Sequence, residues 1–394
     1  GMDGPTFRAD LVAGLNVALL AFPMSMAFAM KAGLPVWCGL VGCGVAAAVA
    51  PLFSGSANLS AGPTNASAAL LLGAFATLGA VTPELRAAAL PTLVLMTGGF
   101  LLLASWLRLS GFADFVPRTV ISAYIAAAAL RVIALQLPTA LGMPGDHAGE
   151  SLPEVLWHAF RMGRTLINPE LGLALITGVA YFLLRPRYGA GKAILGAVLV
   201  ATFGAMLAQN VAHAQGAQAD LVGYVGQAAQ TGAALRLPEF SARTFSTLFS
   251  PALALAVLVV IEGTANARAS ALKTGRPSDL HQEVYGLGMA NLVCAFTGGM
   301  AASGSISRSA LNVASGARTA MASLLCGLFI LGALFLARPV VAVVPLSTLA
   351  ILVILAELEL ANLSAVKLIL RSGAQDRTVF LVTFATALLA PLDV

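Results

Sequence analysis

The chain has 394 residues, is 59% hydrophobic and only 10% charged, and has a mean hydropathy of +0.89. A water-soluble domain carries about a quarter charged residues, so this composition excludes a soluble core and points to lipid as the solvent. The net charge of +5 would suggest nucleic acid in a soluble protein; here the placement of the cations matters more, and no nucleic-acid partner is expected.

Apolar runs near the ~20 residues that cross a bilayer recur along the whole length. Spans are expected at about 11–30, 35–53, 64–80, 87–107, 116–137, 170–185 and 191–212, then at 247–266, 283–297, 305–316, 319–337, 340–356 and 377–392. The fold class is therefore an all-α polytopic membrane protein. No ten-residue alternating segments suggest a barrel, and no cleavable signal precedes the first run. A polar Gln/Ala/Gly-rich stretch without a span separates two halves, giving 1–214, a connection 215–246, and 247–394.

Cys38, Cys43, Cys294 and Cys326 lie inside apolar runs without metal-ligand spacing and read as buried thiols. His147, His158, His213 and His281 make no cluster. Neither a nucleophile–base pair nor a His/Asp/Glu group occurs within the spans, so neither enzymatic chemistry, a metal nor a cofactor is called for. Lys and Arg are denser in the loops on the side of the N-terminus (Arg8, Arg108, Arg118, Arg185, Arg187, Lys192, Arg268, Lys273, Arg276, Arg318, Lys367, Arg371, Arg377) than in those opposite (Lys31, Arg86, Arg161, Arg164, Arg236, Arg243, Arg338). That bias puts the N-terminus in the cytoplasm of a cell-membrane protein.

The two halves correspond at their third spans. "SGSANLSAGPTNASAALL", from Ser54, and "GGMAASGSISRSALN", Gly298–Asn312, are small, polar and interrupted by Gly or Pro. With seven spans in the first half, the second inserts upside down, and paired broken segments in inverted halves mark the binding site of a transporter. Residues 58–64 and 300–306 are expected to be extended, to meet near the membrane midplane, and each to lead into a short helix. Pro63 suits a first helical turn and Gly62 a close backbone approach; Ser303, Ser305 or Ser307 could cap the second short helix. Two helix N-termini facing one point favour an anion, and Arg308 adds a full charge. Small residues packing helices together are the alternative, which "GLVGCGVAAAVA", from Gly39, fits well; Arg308 could also snorkel to the surface. Glu262 in "VIEGTANARAS" is an intramembrane acid, hence a candidate proton carrier or a structural partner of Arg308, with Asn266 one turn later on the same face.

These segments, with "DLVAGLNVALLAFPMSMAFAMKAGLPVWCGL" and "GLGMANLVCAFTGGMAASGSISRSALNVASGARTAMA", resemble the SulP (sulfate permease) family of anion transporters over essentially the whole chain. The resemblance implies fourteen helices in two inverted repeats of seven, with broken helices 3 and 10. A core domain (8–110 and 247–338) would move against a gate domain (115–214 and 340–394) in an elevator-like cycle, in a homodimer. The implied anion site comprises Met24 and Phe28 on helix 1, Gly62, Pro63 and Thr64 opening helix 3, and Ser305, Ile306, Ser307 and Arg308 opening helix 10. Glu262 on helix 8 would couple protons.

Departures from the family pattern are specific. Met24 replaces a polar residue after the helix 1 proline; Asn266 stands where sodium-coupled bicarbonate members carry a second acid; Lys31 and Arg131 occupy apolar positions without a local partner. Thirteen spans, ending at "APLDV", are one fewer than the resemblance implies, so the last helix and the family's cytoplasmic STAS domain are expected to be missing from the sequence. The expected function is secondary transport of a small anion (sulfate, bicarbonate, chloride or dicarboxylate), proton-coupled or exchanging. An anion channel or motor on the same fold and a nucleobase–proton symporter are the alternatives; the symporter would want paired carboxylates on helices 8 and 10.

Overall fold

The structure, a computed structural model, describes residues 4–79, 82–108, 118–143, 152–162, 168–214, 222–224, 237–238, 241–275, 278–336, 342–360 and 363–389. The expected span limits 80, 116, 337, 340 and 392, and Arg164, Arg236, Arg276, Arg338 and His147, lie outside these residues, as does the side chain of Arg131 on the helix over 118–141.

The described elements are mostly helices: α1 (Gly4–Lys31), α2 (Val36–Phe53), α3 (Asn65–Thr77), α4 (Pro83–Trp106), α5 (Arg118–Leu141), α6 (Leu152–Met162), α7 (Pro169–Ala214), α8 (Ala242–Thr274), α9 (Leu280–Thr297), α10 (Ile306–Ala314), α11 (Met321–Leu336), α12 (Leu346–Leu360), α13 (Leu363–Leu370) and α14 (Ala374–Leu389). Two two-residue strands, β1 (Ala61–Gly62) and β2 (Ser303–Gly304), interrupt them. Among the described residues, five helices are long and apolar enough to cross a membrane. α7 contains the two spans expected there: Gly189, at φ 77°, breaks it between them. Helix α6 was not expected, because eleven residues are too few for a span. It carries an exposed Trp157 and Phe160, stacked on each other, with the Arg161 guanidinium over the indole, a pattern suited to a membrane interface.

The chain forms two compact units, one of Gly1–Val116, Thr231–Leu336 and Leu392–Val394, the other of Pro117–Gln230 and Ala337–Pro391. In the first, α9 packs against α2 and α4, α11 against α1 and α2, and α8 against α3 and α4. Small residues make these approaches close. A Cβ on Gly39 would lie 2.0 Å from the Ser25 carbonyl oxygen, and one on Gly42 2.6 Å from that of Met300. The run "GLVGCGVAAAVA" is thus a packing surface, as expected. The four cysteines are buried. The buried Asp10 carboxylate accepts from the amides of Arg318 (2.7 Å) and Thr319 (3.1 Å), tying α1 to the turn before α11. In the second unit α12 packs on α5 and α7, and α14 on α5; Glu170 accepts from the Gly223 amide at 3.0 Å, and Thr177 meets Thr348 at 3.3 Å.

Candidate functional site

The two broken segments meet in the first unit. β1 and β2 pair antiparallel, Ala61 opposite Gly304 and Gly62 opposite Ser303, and each runs directly into a short helix. Extended backbone inside a membrane protein needs partners for every amide and carbonyl, and side chains supply them here. Asn291 on α9 clamps Ala302 from both sides, donating to its carbonyl and accepting from its amide, each at 2.9 Å. The Ser309 hydroxyl accepts from the Ser60 amide (3.0 Å) and from Asn266 Nδ2 (2.9 Å). Ser323 donates to the Leu59 carbonyl at 2.8 Å, and the Ser305 amide to the Ser60 carbonyl at 3.1 Å.

Thr64 caps α3 in a reciprocal box: its hydroxyl accepts from the Ser67 amide at 3.2 Å while Ser67 Oγ accepts from the Thr64 amide at 3.0 Å. Ser305 caps α10, accepting from the Arg308 amide at 3.4 Å, with Ser307 Oγ 3.2 Å from its own hydroxyl. In both helices the remaining first-turn amides have no intrahelical acceptor, so two partial positive poles arise from one paired crossing.

The sequence-predicted residues fall into three groups. Gly62, Thr64, Glu262 and Arg308 converge. Thr64 Oγ1 donates to Glu262 Oε2 at 3.0 Å, and Ser303 lies beside the same carboxylate. Arg308 is 2% exposed, so it does not snorkel. Its guanidinium lies against Gly62, where a Cβ would be 3.0–3.1 Å from three of its atoms. Nη1 lies 3.7 Å from Cys43 Sγ, while Nε and Nη2 have no hydrogen-bond partner. Ile306 and Ser307 are exposed at the mouth of α10, whereas Pro63 is buried in the turn into α3. Met24 and Phe28 lie one turn apart on α1, which packs along α3 and α10; Phe28 is buried and Met24 half-buried.

Lys31 requires a correction. It is not a loop cation: it ends α1, is 4% exposed, and donates to the Asn65 carbonyl at 2.9 Å and to the Asn65 side chain, a partner distant in sequence. Sequence reasoning marked its oddity but could not find a partner 34 positions away. Asn291, Ser309, Ser67 and Ser323 were also missed; their only signal was polarity in apolar surroundings. Among the described residues no group of His, Cys, Asp and Glu could hold a metal ion.

The chain is 31% identical over 387 residues to a probable sulfate transporter of Mycobacterium tuberculosis, covering 97% of this chain and 66% of that protein. It is 28% identical over 352 residues to the bicarbonate transporter BicA of a Picosynechococcus species, covering 87% and 60% respectively. The chain thus spans about two thirds or less of the length of these relatives. In fold it matches the transmembrane domain of a cyanobacterial BicA with a TM-score of 0.84 at 23% identity, covering 99% of this chain and 97% of that one. It matches murine Solute Carrier 26 family member A9, an anion transporter in the inward-facing state, at 0.81 and 19%, covering 100% and 67%. A profile of the sulfate permease family matches residues 7–383, and the chain belongs to that family.

Proposed function

We propose that the protein is a secondary active transporter of a small anion of the sulfate, bicarbonate, chloride or dicarboxylate class, binding it where α3 and α10 begin. One observation carries this reading: a buried arginine with unpartnered N–H groups lies against the strand crossing from which two helix N-termini start. Such a site offers backbone donors, aligned dipoles and one full charge to an anion, and none of these suits a neutral ring. The relatives described as sulfate and bicarbonate transporters support the substrate class. Members of the family are transporters, not enzymes.

Antiparallel pairing of the two segments supports two inverted halves, and the compactness of the unit holding both supports its movement as one body in an elevator-like cycle. Glu262, hydrogen-bonded to the α3 cap, is the proposed proton carrier. The protein would reside in the cell membrane with its N-terminus cytoplasmic and would assemble as a homodimer.

The test is uptake of labelled sulfate, bicarbonate, chloride and a dicarboxylate into liposomes carrying the purified protein, with anion titrations beside it. Saturable uptake stimulated by anion on the opposite side is expected; large unsaturable conductance would favour a channel. Arg308→Ala should weaken affinity without abolishing it, because the backbone poles survive. A charge-assisted contact is worth ~1.5–3 kcal/mol, roughly ten- to a hundredfold. Unchanged affinity would remove Arg308 from the site.

A further inference from the structure

A lysine ammonium is among the groups least often buried without purpose. Lys31 is 4% exposed at the last residue of α1, and its ammonium does not reach back to water. It crosses to the first residue of α3, donating to the Asn65 carbonyl at 2.9 Å and to the Asn65 side chain. Asn65 follows the cap Thr64, whose hydroxyl donates to Glu262. Along the same stretch, Arg308 lies against Gly62, Glu262 accepts from Thr64 and Lys31 holds Asn65. The crossing therefore has two fixed cations, one on each side of the residues that open α3, and one acid between them. Arg308 presents unpartnered N–H groups. Lys31 does not: its hydrogen bonds go to Asn65, so its influence on a bound ion is through the field.

We propose that Lys31 is a charge-selecting residue of the anion site, raising its fixed positive charge by one unit so that it favours a divalent oxyanion over a monovalent anion. This deepens, and rests on, the reading of the crossing as an anion site. The reasoning is Coulombic. The attraction of a fixed charge for an ion scales with the charge on the ion. A cation behind the first turn therefore contributes twice as much free energy to a dianion as to a monoanion, and its removal costs the dianion the square of the factor lost by the monoanion. A cation that serves only to anchor α1 to α3 would instead lower both affinities alike, through the shape of the crossing.

Two variants separate field from anchor. Lys31→Met removes the charge and the bonds to Asn65. Asn65→Asp lowers the local charge by the same unit while keeping an acceptor for the ammonium, and an acid in the first turn of a helix is stabilising, so it guards against a misfolded Lys31→Met. Lys31→Arg restores the charge. The measurement is the apparent affinity for sulfate and for chloride in liposomes carrying the full chain. With the ammonium about 8 Å from the ion and strong screening, chloride should weaken about fivefold and sulfate by roughly twenty-five-fold in both charge-lowering variants, with Lys31→Arg close to the original ratio. An unchanged sulfate-to-chloride ratio in both variants would overturn the role given to Lys31 while leaving the anion site standing. No saturable uptake of any anion by the original chain would overturn the site itself, and this proposal with it.

Discussion

Glu262→Gln changes one thing about the site. The glutamine keeps a carbonyl oxygen for the Thr64 hydroxyl, which donates to Glu262 Oε2 at 3.0 Å, so the α3 cap survives and only the ionisable oxygen is lost. An anion accepting from a first-turn amide of α3 at about 2.9 Å would lie about 5 Å from that carboxylate. Two like unit charges 5 Å apart at an effective dielectric constant near 20 repel by about 3 kcal/mol, roughly a hundredfold in affinity. In the original chain the ionised carboxylate opposes the anion and the protonated one does not. Affinity should therefore fall as pH rises, by up to about a hundredfold between the two limits. Glu262→Gln should hold the tighter affinity at every pH, lose uptake driven by an inward proton gradient, and retain anion exchange. Titrations of purified protein over a pH series, with uptake under imposed pH gradients, measure both effects. A variant whose affinity keeps the original slope against pH would refute the coupling argument and return Glu262 to a structural role as acceptor for the α3 cap.

Asn291→Ala should leave the Ala302 amide and carbonyl, both held at 2.9 Å, without partners; unpaired buried groups cost about 1–3 kcal/mol each. Thermal unfolding in detergent should show the loss, with uptake falling in step. Gly62→Ala should press a methyl group against the Arg308 guanidinium, which would lie 3.0–3.1 Å away, at a cost of about 1–3 kcal/mol for overpacking. Anion titration should show weaker binding by a protein that still folds; original affinity would mean that the guanidinium can move without consequence for the ion.

The breaks at 58–64 and 300–306 could be read from sequence because Gly, Pro and hydroxyl residues interrupt apolar runs, and local chemistry decides where a helix stops. Arg308 and Glu262 were legible for a related reason: a charge among Val, Ile and Ala has few innocent explanations. What gives each of them its geometry was not legible. Arg308 rests against Gly62 and Glu262 against Thr64, across 246 and 198 positions of chain. The choice between snorkelling and burial is made by that tertiary contact, not by the neighbours in sequence. Asn291 and Ser309 look like ordinary polar substitutions until the strands they hold are in place. Lys31 sits at the other extreme, conspicuous in sequence yet explained only by α3. Helix α6 is not legible as a span because its eleven residues are too few to cross a bilayer; an interfacial helix has amphipathicity in place of length.

The bonding of the crossing bears on the proposed carrier cycle. The backbone of the first broken segment is held by side chains from the second half of the chain: Ser60 by Ser309, and Leu59 by Ser323. Two further bonds lie inside one half each: Asn291 holds Ala302 in the second, and the Lys31 ammonium holds the start of α3 in the first. Glu262 and Asn266, one turn apart on α8, reach α3 and α10 respectively. Opening the site by separating the two short helices would break the bonds that cross between the halves, Ser60 to Ser309 and Leu59 to Ser323, and leave those main-chain groups unpaired in an apolar interior, each at a cost of about 1–3 kcal/mol. A site built this way is costly to reshape and cheap to carry. Under the elevator-like cycle proposed above, the first unit would move with the crossing intact and keep these contacts, whereas local unravelling of either half-helix would lose them.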